Sequence, residues 1–264
     1  MKYLIPLFAL LVAAGRCIQA AEPPAHIDVS KLPNQATLVE DVVVPVPSEI
    51  FGVLDKLGSP NWHEVLRTDK RVPPGDRAQT ALVLGTVIAE GFIAVEAQEG
   101  EEVKKIGRDV LNLAGAIGVK KSVIGHVNAI IEAADRKEWQ KTRTELDGAL
   151  KDVKQAMIEL HDDQLAQLVS LGGWLRGSEA LCQVVQKSYS KDTADLLHQP
   201  LLLEYFQQNL DRMDPRLKKN SAVKGIQGRL GSIGPLIVGP TISPKDVDDV
   251  LTILNDLVKS ISSE

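Results

Sequence analysis

Three charged residues stand where charge is costly. Glu90 lies inside the apolar run 81–95, ALVLGTVIAEGFIAV. Arg176 and Glu179 interrupt a second run, 165–185, LAQLVSLGGWLRGSEALCQVV. Arg176 and Glu179 are three apart, so on a helix they share a face. A buried, unpaired charge is strongly disfavoured, so Glu90 must find a cation or take up a proton. Arg176 is the obvious partner, and a structural Glu90–Arg176 ion pair is the leading expectation. The sharper alternative is a polar pocket lined by Glu90, Arg176 and Glu179, with Trp174 at its rim. Such a site would bind a small molecule or use Glu90 and Glu179 as a carboxylate pair for hydrolysis.

Other chemistry is thinly represented. The five histidines, His26, His63, His126, His161 and His198, make no HxH, HxxxH or HExxH spacing. His161-Asp162-Asp163 reads as a helix junction in which Asp162 or Asp163 caps the next helix. Glu96, Glu99, Glu101 and Glu102 form an acidic edge without the spacing of an EF-hand loop, and read as a solvated face. There is no GxSxG, P-loop or dinucleotide fingerprint. Gly225, Gly228, Gly231, Gly234 and Gly239 lack a GKS/T ending or a GxGxxG core. No cofactor or metal is expected, and no catalytic residue is assigned.

The elements that position these residues are helices. The run 81–95 belongs to a helix over 77–98 capped by Asp76, and 165–185 to a helix over 163–187. Both are apolar almost all round, which places them at the centre of a bundle. Their small residues, Gly85, Ala89 and Gly91 on one and Gly172, Gly173 and Gly177 on the other, predict close backbone approach. Amphipathic helices follow over 100–117, 121–134 and 137–161, with Gly118 in the left-handed position that ends the first of them. Ser48 can cap a helix over 49–57. A short turn is expected over 60–66, a loop over 68–77, and a further turn near 190–197. A helix starts at Pro200, a frayed helix lies near 221–231 with a loop beyond it, and a last helix spans 244–260. There Ser243, Pro244 and Asp246 form a strong start signal.

The fold class is therefore all-α, an irregular bundle of about eight to ten helices. Residues 46–264 read as one helical domain. Residues 21–45 carry four prolines and read as an extended arm. Within it LVEDVVV has β-propensity but no obvious mate, so it would lie over the surface or join the sheet of another chain.

Residues 1–20, MKYLIPLFALLVAAGRCIQA, resemble a secretory signal peptide, with Lys2 before an apolar run and small residues at Ala20 and Ala21. That run is about 13 residues, against roughly 20 for a bilayer span. Arg16 spoils a lipoprotein box at Cys17. Beyond the leader no membrane span is expected. Cleavage leaves Cys182 alone, so no intrachain disulfide holds the fold, and Cys182 reads as a buried packing residue.

The 264 residues include 30 basic and 35 acidic side chains, a formal charge of −5, and only 4% are aromatic. A mildly acidic chain is poorly suited to nucleic acid. The expectation is an exported protein, periplasmic or secreted, acting as a binding or structural module of the bacterial envelope, with a protein partner or self-association. The alternative is a small-molecule-binding protein or enzyme built on Glu90, Arg176 and Glu179.

Overall fold

The fold is that of a computed structural model, which describes residues 60–68 and 73–262 throughout, and the backbone of two short strands nearer the N-terminus. The leader, the rest of the arm and the helix expected over 49–57 lie outside the described residues. The protein is all-α, as the sequence predicts.

Strands β1 (Thr37–Val39) and β2 (Val42–Val44) pair antiparallel, with Leu38 opposite Val43. The stretch expected to be one strand in search of a mate thus folds back on itself. Only Glu40 and Asp41 separate its two halves, so the nearest available strand is its own continuation.

A 3-10 turn, Trp62–Glu64, leads to helix α1, Arg77–Glu96. Helices α2 (Gly100–Ala116), α3 (Lys120–Asp135), α4 (Trp139–Glu159) and α5 (Asp163–Lys187) follow through short links. Then come the short α6 (Lys191–Asp195), α7 (Pro200–Arg212), the single turn α8 (Pro215–Lys218) and α9 (Ser221–Leu230). A further turn, α10 (Gly234–Ile237), occupies the predicted loop, and α11 (Pro244–Ser262) closes the chain. Gly225 and Gly228 do not break α9. Asn220 caps it by accepting from Ala222 N and Val223 N, and Ala222, Val223, Ile226 and Leu230 bury its inner face. Burial of that face outweighs the low helix propensity of two glycines.

The predicted start signals operate. Asp76 accepts from Gln79 N at 2.9 Å. Ser243 and Asp246 bond reciprocally, Ser243 N to Asp246 Oδ2 at 2.9 Å and Asp246 N to Ser243 Oγ at 3.2 Å. The four links from α1 to α5 share one geometry, only part of which was legible. Each passes through a left-handed residue: Gln98, Gly118, Lys137 and His161. In each, the next N–H bonds a carbonyl five residues back, as Glu99 N to Ala94 O at 2.9 Å and Asp162 N to Met157 O at 2.8 Å. This is the Schellman closure, and it occupies carbonyls that a helix end would otherwise leave unpaired. Only Gly118 carries the residue type that announces it.

Helix α1 is the hub. From Ala78 to Val95 all but Gln79 are buried, covered by α2, α4, α5 and α11. It is long and apolar enough to cross a membrane, contrary to the expectation of no such segment, but 94% of that stretch is buried within the fold. One continuous apolar cluster runs from Trp62 to Ile261.

Helices α1 and α5 approach almost backbone to backbone. A Cβ at Gly85 would overlap the Val169 carbonyl oxygen and lie 2.7 Å from Gly173 N, and one at Gly172 would overlap the Leu82 carbonyl. Gly177, expected to share this role, has nothing near its Cβ position. Five residues beyond Gly172, it is turned about 140° around the helix axis, away from the close approach.

Candidate functional site

The crossing of α1 and α5 brings three of the predicted residues together. Glu90 comes from the middle of α1, and Arg176 and Glu179 from successive turns of α5. Arg176 Nε donates to Glu90 Oε2 at 2.6 Å, and its Nη1 lies 3.4 Å from Glu179 Oε2. All three are almost fully buried, at 3%, 1% and 0% exposure. The expected Glu90–Arg176 pair is present in this geometry.

A fourth charge completes the group. Arg67, in the segment before α1, pairs through its guanidinium with Glu179 Oε1. Its backbone N–H donates to Glu90 Oε1 at 2.5 Å. Arg176 Nη2 in turn donates to the Val65 carbonyl at 2.6 Å. Gln183 Nε2 and Asn255 Oδ1 lie at the periphery, 3.4 Å from Glu179 and 3.5 Å from Arg67. Two carboxylates thus face two guanidiniums, and the formal charge of the group is zero. Burial holds the Glu179 carboxyl above its ordinary range, although Arg176 and Arg67 both oppose that shift.

The group clamps the 60–68 segment to the bundle. Trp62 and Val65 are buried beside it, and Lys187 pairs with Glu64 at the surface. Every charge meets protein, and the larger of the two described cavities lies elsewhere.

Trp174 does not join this group. Its Nε1 donates to Gln199 Oε1 at 3.1 Å and its ring packs on Phe206, with centroids 5.2 Å apart. Two residues from Arg176, it points to a different side of α5, toward α7. It lines a small crevice with Cys182 and Leu254. Ser170 donates to the Ala166 carbonyl of its own helix. Cys182 is fully buried, and burial together with the nearby Glu179 charge pushes its thiol far up, leaving it protonated and unreactive. Arg67 carried no sequence signal, being one more basic residue beside the expected loop.

Two other expectations change. Asp162 occupies the N-cap position of α5 but its side chain makes no capping bond. The Arg77 guanidinium holds that carboxylate instead, at 2.7 Å. Glu96 is not part of a solvated acidic edge, because its side chain is buried against Arg143. Among the described residues, no three His, Cys, Asp or Glu side chains converge as metal ligands would.

A histidine clamp joins α3 to α4. His126 Nδ1 lies 2.8 Å from Glu145 Oε2 and its Nε2 3.1 Å from Asp152 Oδ2. The ring occupies the space that a side chain at Gly148 would need, since a Cβ there would sit 2.5 Å from Cε1. A neutral imidazole has one donor, so only the imidazolium satisfies both carboxylates. Burial alone would lower its pKa, but the hydrogen bonds to Glu145 and Asp152 outweigh it and hold His126 above its ordinary 6.5. A raised folded value means the stabilisation is complete below 6.5 and is lost as pH rises through the folded pKa. Urea midpoints between pH 5 and 8.5 should therefore fall at the alkaline end, and His126→Gln should flatten that fall. An unchanged slope in the variant would remove His126 as its cause.

No protein-family model matches this chain, and no curated protein or solved structure matches it.

Proposed function

We propose that this chain is an exported helical module of the bacterial envelope, periplasmic or secreted, which binds or holds a protein partner, or a second copy of itself, and performs no catalysis. The observation that carries this reading is the closure of the Glu90, Arg176, Glu179 and Arg67 group. Its charges are engaged with one another and with the backbone at Val65 and Arg67. A catalytic pair needs a substrate within reach of its carboxylates. Here the position beside Glu90 is taken by the Arg67 amide. The same bonds give the group a structural task, fixing the 60–68 segment on the bundle.

The leader-like residues 1–20 and the single cysteine left after them agree with export without disulfide stapling. The arm is the element we assign to assembly, since in the sequence it precedes a segment held on the bundle by buried Trp62 and Val65.

Deletion of residues 21–45 tests this. Native mass spectrometry of the protein purified from its own envelope should show a partner or a second copy on the full mature chain and none on the deleted one, with thermal unfolding unchanged. A small molecule released on denaturation from both forms, with no protein partner on either, would overturn the reading.

A further inference from the structure

The arm hairpin leaves one edge of its sheet open. Among the described residues that sheet has two strands, β1 and β2, and no third. Strand β2 is the one that lies against α7, which makes β1 the outer strand. Two residues, Glu40 and Asp41, separate the strands. A hairpin with so short a loop closes on a hydrogen-bonded pair, here Val39 and Val42. Antiparallel pairs alternate, so Leu38 and Val43 form a non-hydrogen-bonded pair. The N–H and C=O of Leu38 therefore point away from β2, along the open edge.

The character of this edge says what it takes. A two-stranded hairpin is marginal in water and gains from a helix or further strands, and α7 lies on the β2 side. Edges left to solvent are commonly guarded by Lys or Pro, and Thr37-Leu38-Val39 carries neither. The edge is also self-complementary. The donor and acceptor of Leu38 match those of an identical residue turned by a two-fold rotation. In that register Thr37 stands opposite Val39 of the second copy, so all three residues of β1 are paired. The turn charges select the direction. Parallel pairing would set Glu40 and Asp41 beside their twins, whereas antiparallel pairing carries them to opposite ends of the sheet.

We infer that β1 pairs antiparallel with β1 of a second copy of this chain, about a two-fold axis at Leu38, in a four-stranded sheet ordered β2-β1-β1-β2. This rests on the reading that the arm serves assembly, and it names the partner. The assembly closes at two copies, because each outer strand of the joined sheet is a β2 lying against its own α7.

Cysteine trapping tests this on the full mature chain, where Cys182 is buried and unreactive. Across a hydrogen-bonded antiparallel pair the Cα atoms are about 5.5 Å apart, within the range of a disulfide. The two Val43 residues would lie about 14 Å apart, across three strand spacings. Leu38→Cys should therefore oxidise to a covalent dimer at least about tenfold faster than Val43→Cys. In Leu38→Pro the N–H removed is the outward one, so the hairpin survives, while sedimentation should show dimerisation weakened about tenfold or more. A wild-type chain monomeric up to about 100 μM, equal cross-linking of the two cysteine variants, or a Leu38→Pro chain that dimerises like the wild type would overturn the inference. If deletion of residues 21–45 still removes a partner in that event, the arm remains an assembly element and only the strand pairing falls.

Discussion

Exchange of Arg176 for Met lowers stability at pH 7 by about 3–5 kcal/mol, the usual result of removing one side of a buried ion pair. Domains of this kind have about 5–15 kcal/mol in total, so Arg176→Met leaves a marginal fold or none. The loss comes from what stays behind. Glu90 and Glu179 are buried, and without Arg176 they keep the Arg67 amide and guanidinium and one long contact from the Gln183 amide. The Val65 carbonyl loses its donor as well. The pH dependence has a definite sign. Burial already holds Glu179 above its ordinary range with both arginines present. Removing a cation raises it further, so as pH falls the folded variant takes up this proton before the unfolded chain does. Its penalty is complete above that raised pKa and eases as pH falls through it. Urea midpoints of Arg176→Met should accordingly rise between pH 7 and pH 5. Adding Glu90→Gln and Glu179→Gln should recover most of the loss at pH 7, because neutral amides need no counter-charge. A single variant within 1 kcal/mol of the wild type would mean that these carboxylates reach water.

Gly85→Ala costs about 3 kcal/mol or more, at or beyond the upper end for an overfilled core. The added methyl meets the backbone at Val169 and Gly173, which has no rotamer to turn aside. The helices α1 and α5 must separate, and the buried charges at their crossing separate with them. Gly177→Ala is the matched control on α5. It meets nothing within 4 Å, so it should stabilise by about 0.5–1 kcal/mol through helix propensity alone. Chemical unfolding of the two variants gives opposite signs if the close approach at Gly85 is as described. Equal, small effects would contradict it.

The all-α class, the central position of α1 and α5 and the cap at Asp76 follow from apolar periodicity and start residues, which are local properties. So does the pairing of Glu90 with Arg176, because two charges placed inside apolar helices have few other partners. What was not legible depends on residues far apart in the chain. Arg67 looks like any loop cation until the fold sets it against Glu179, 112 residues on. Trp174 seemed near Arg176 in sequence, but two residues along a helix turn it to another side. Gln98, Lys137 and His161 adopt the left-handed geometry without the glycine that signals it, because closing the link pairs the helix-end carbonyls. Asp162 and Asp163 are both cap candidates by type and position, and the one at the N-cap position is Asp162. Arg77, 85 residues away, competes for the same carboxylate and holds it.

The clamp on the N-terminal segment is tested most directly at one proton, the Arg67 amide that donates to Glu90 Oε1. Its hydrogen exchange can be followed by NMR in the wild type and in Glu90→Gln. A structural clamp requires the wild-type amide to exchange slowly, within about tenfold of the α1 core amides, since it is freed only when the buried group comes apart. In Glu90→Gln it should exchange much faster while α1 stays protected. Exchange of the wild-type Arg67 amide at the rate of an open peptide, with α1 fully protected, would contradict the clamp. Glu90, Arg176 and Glu179 would then line a site open to solvent.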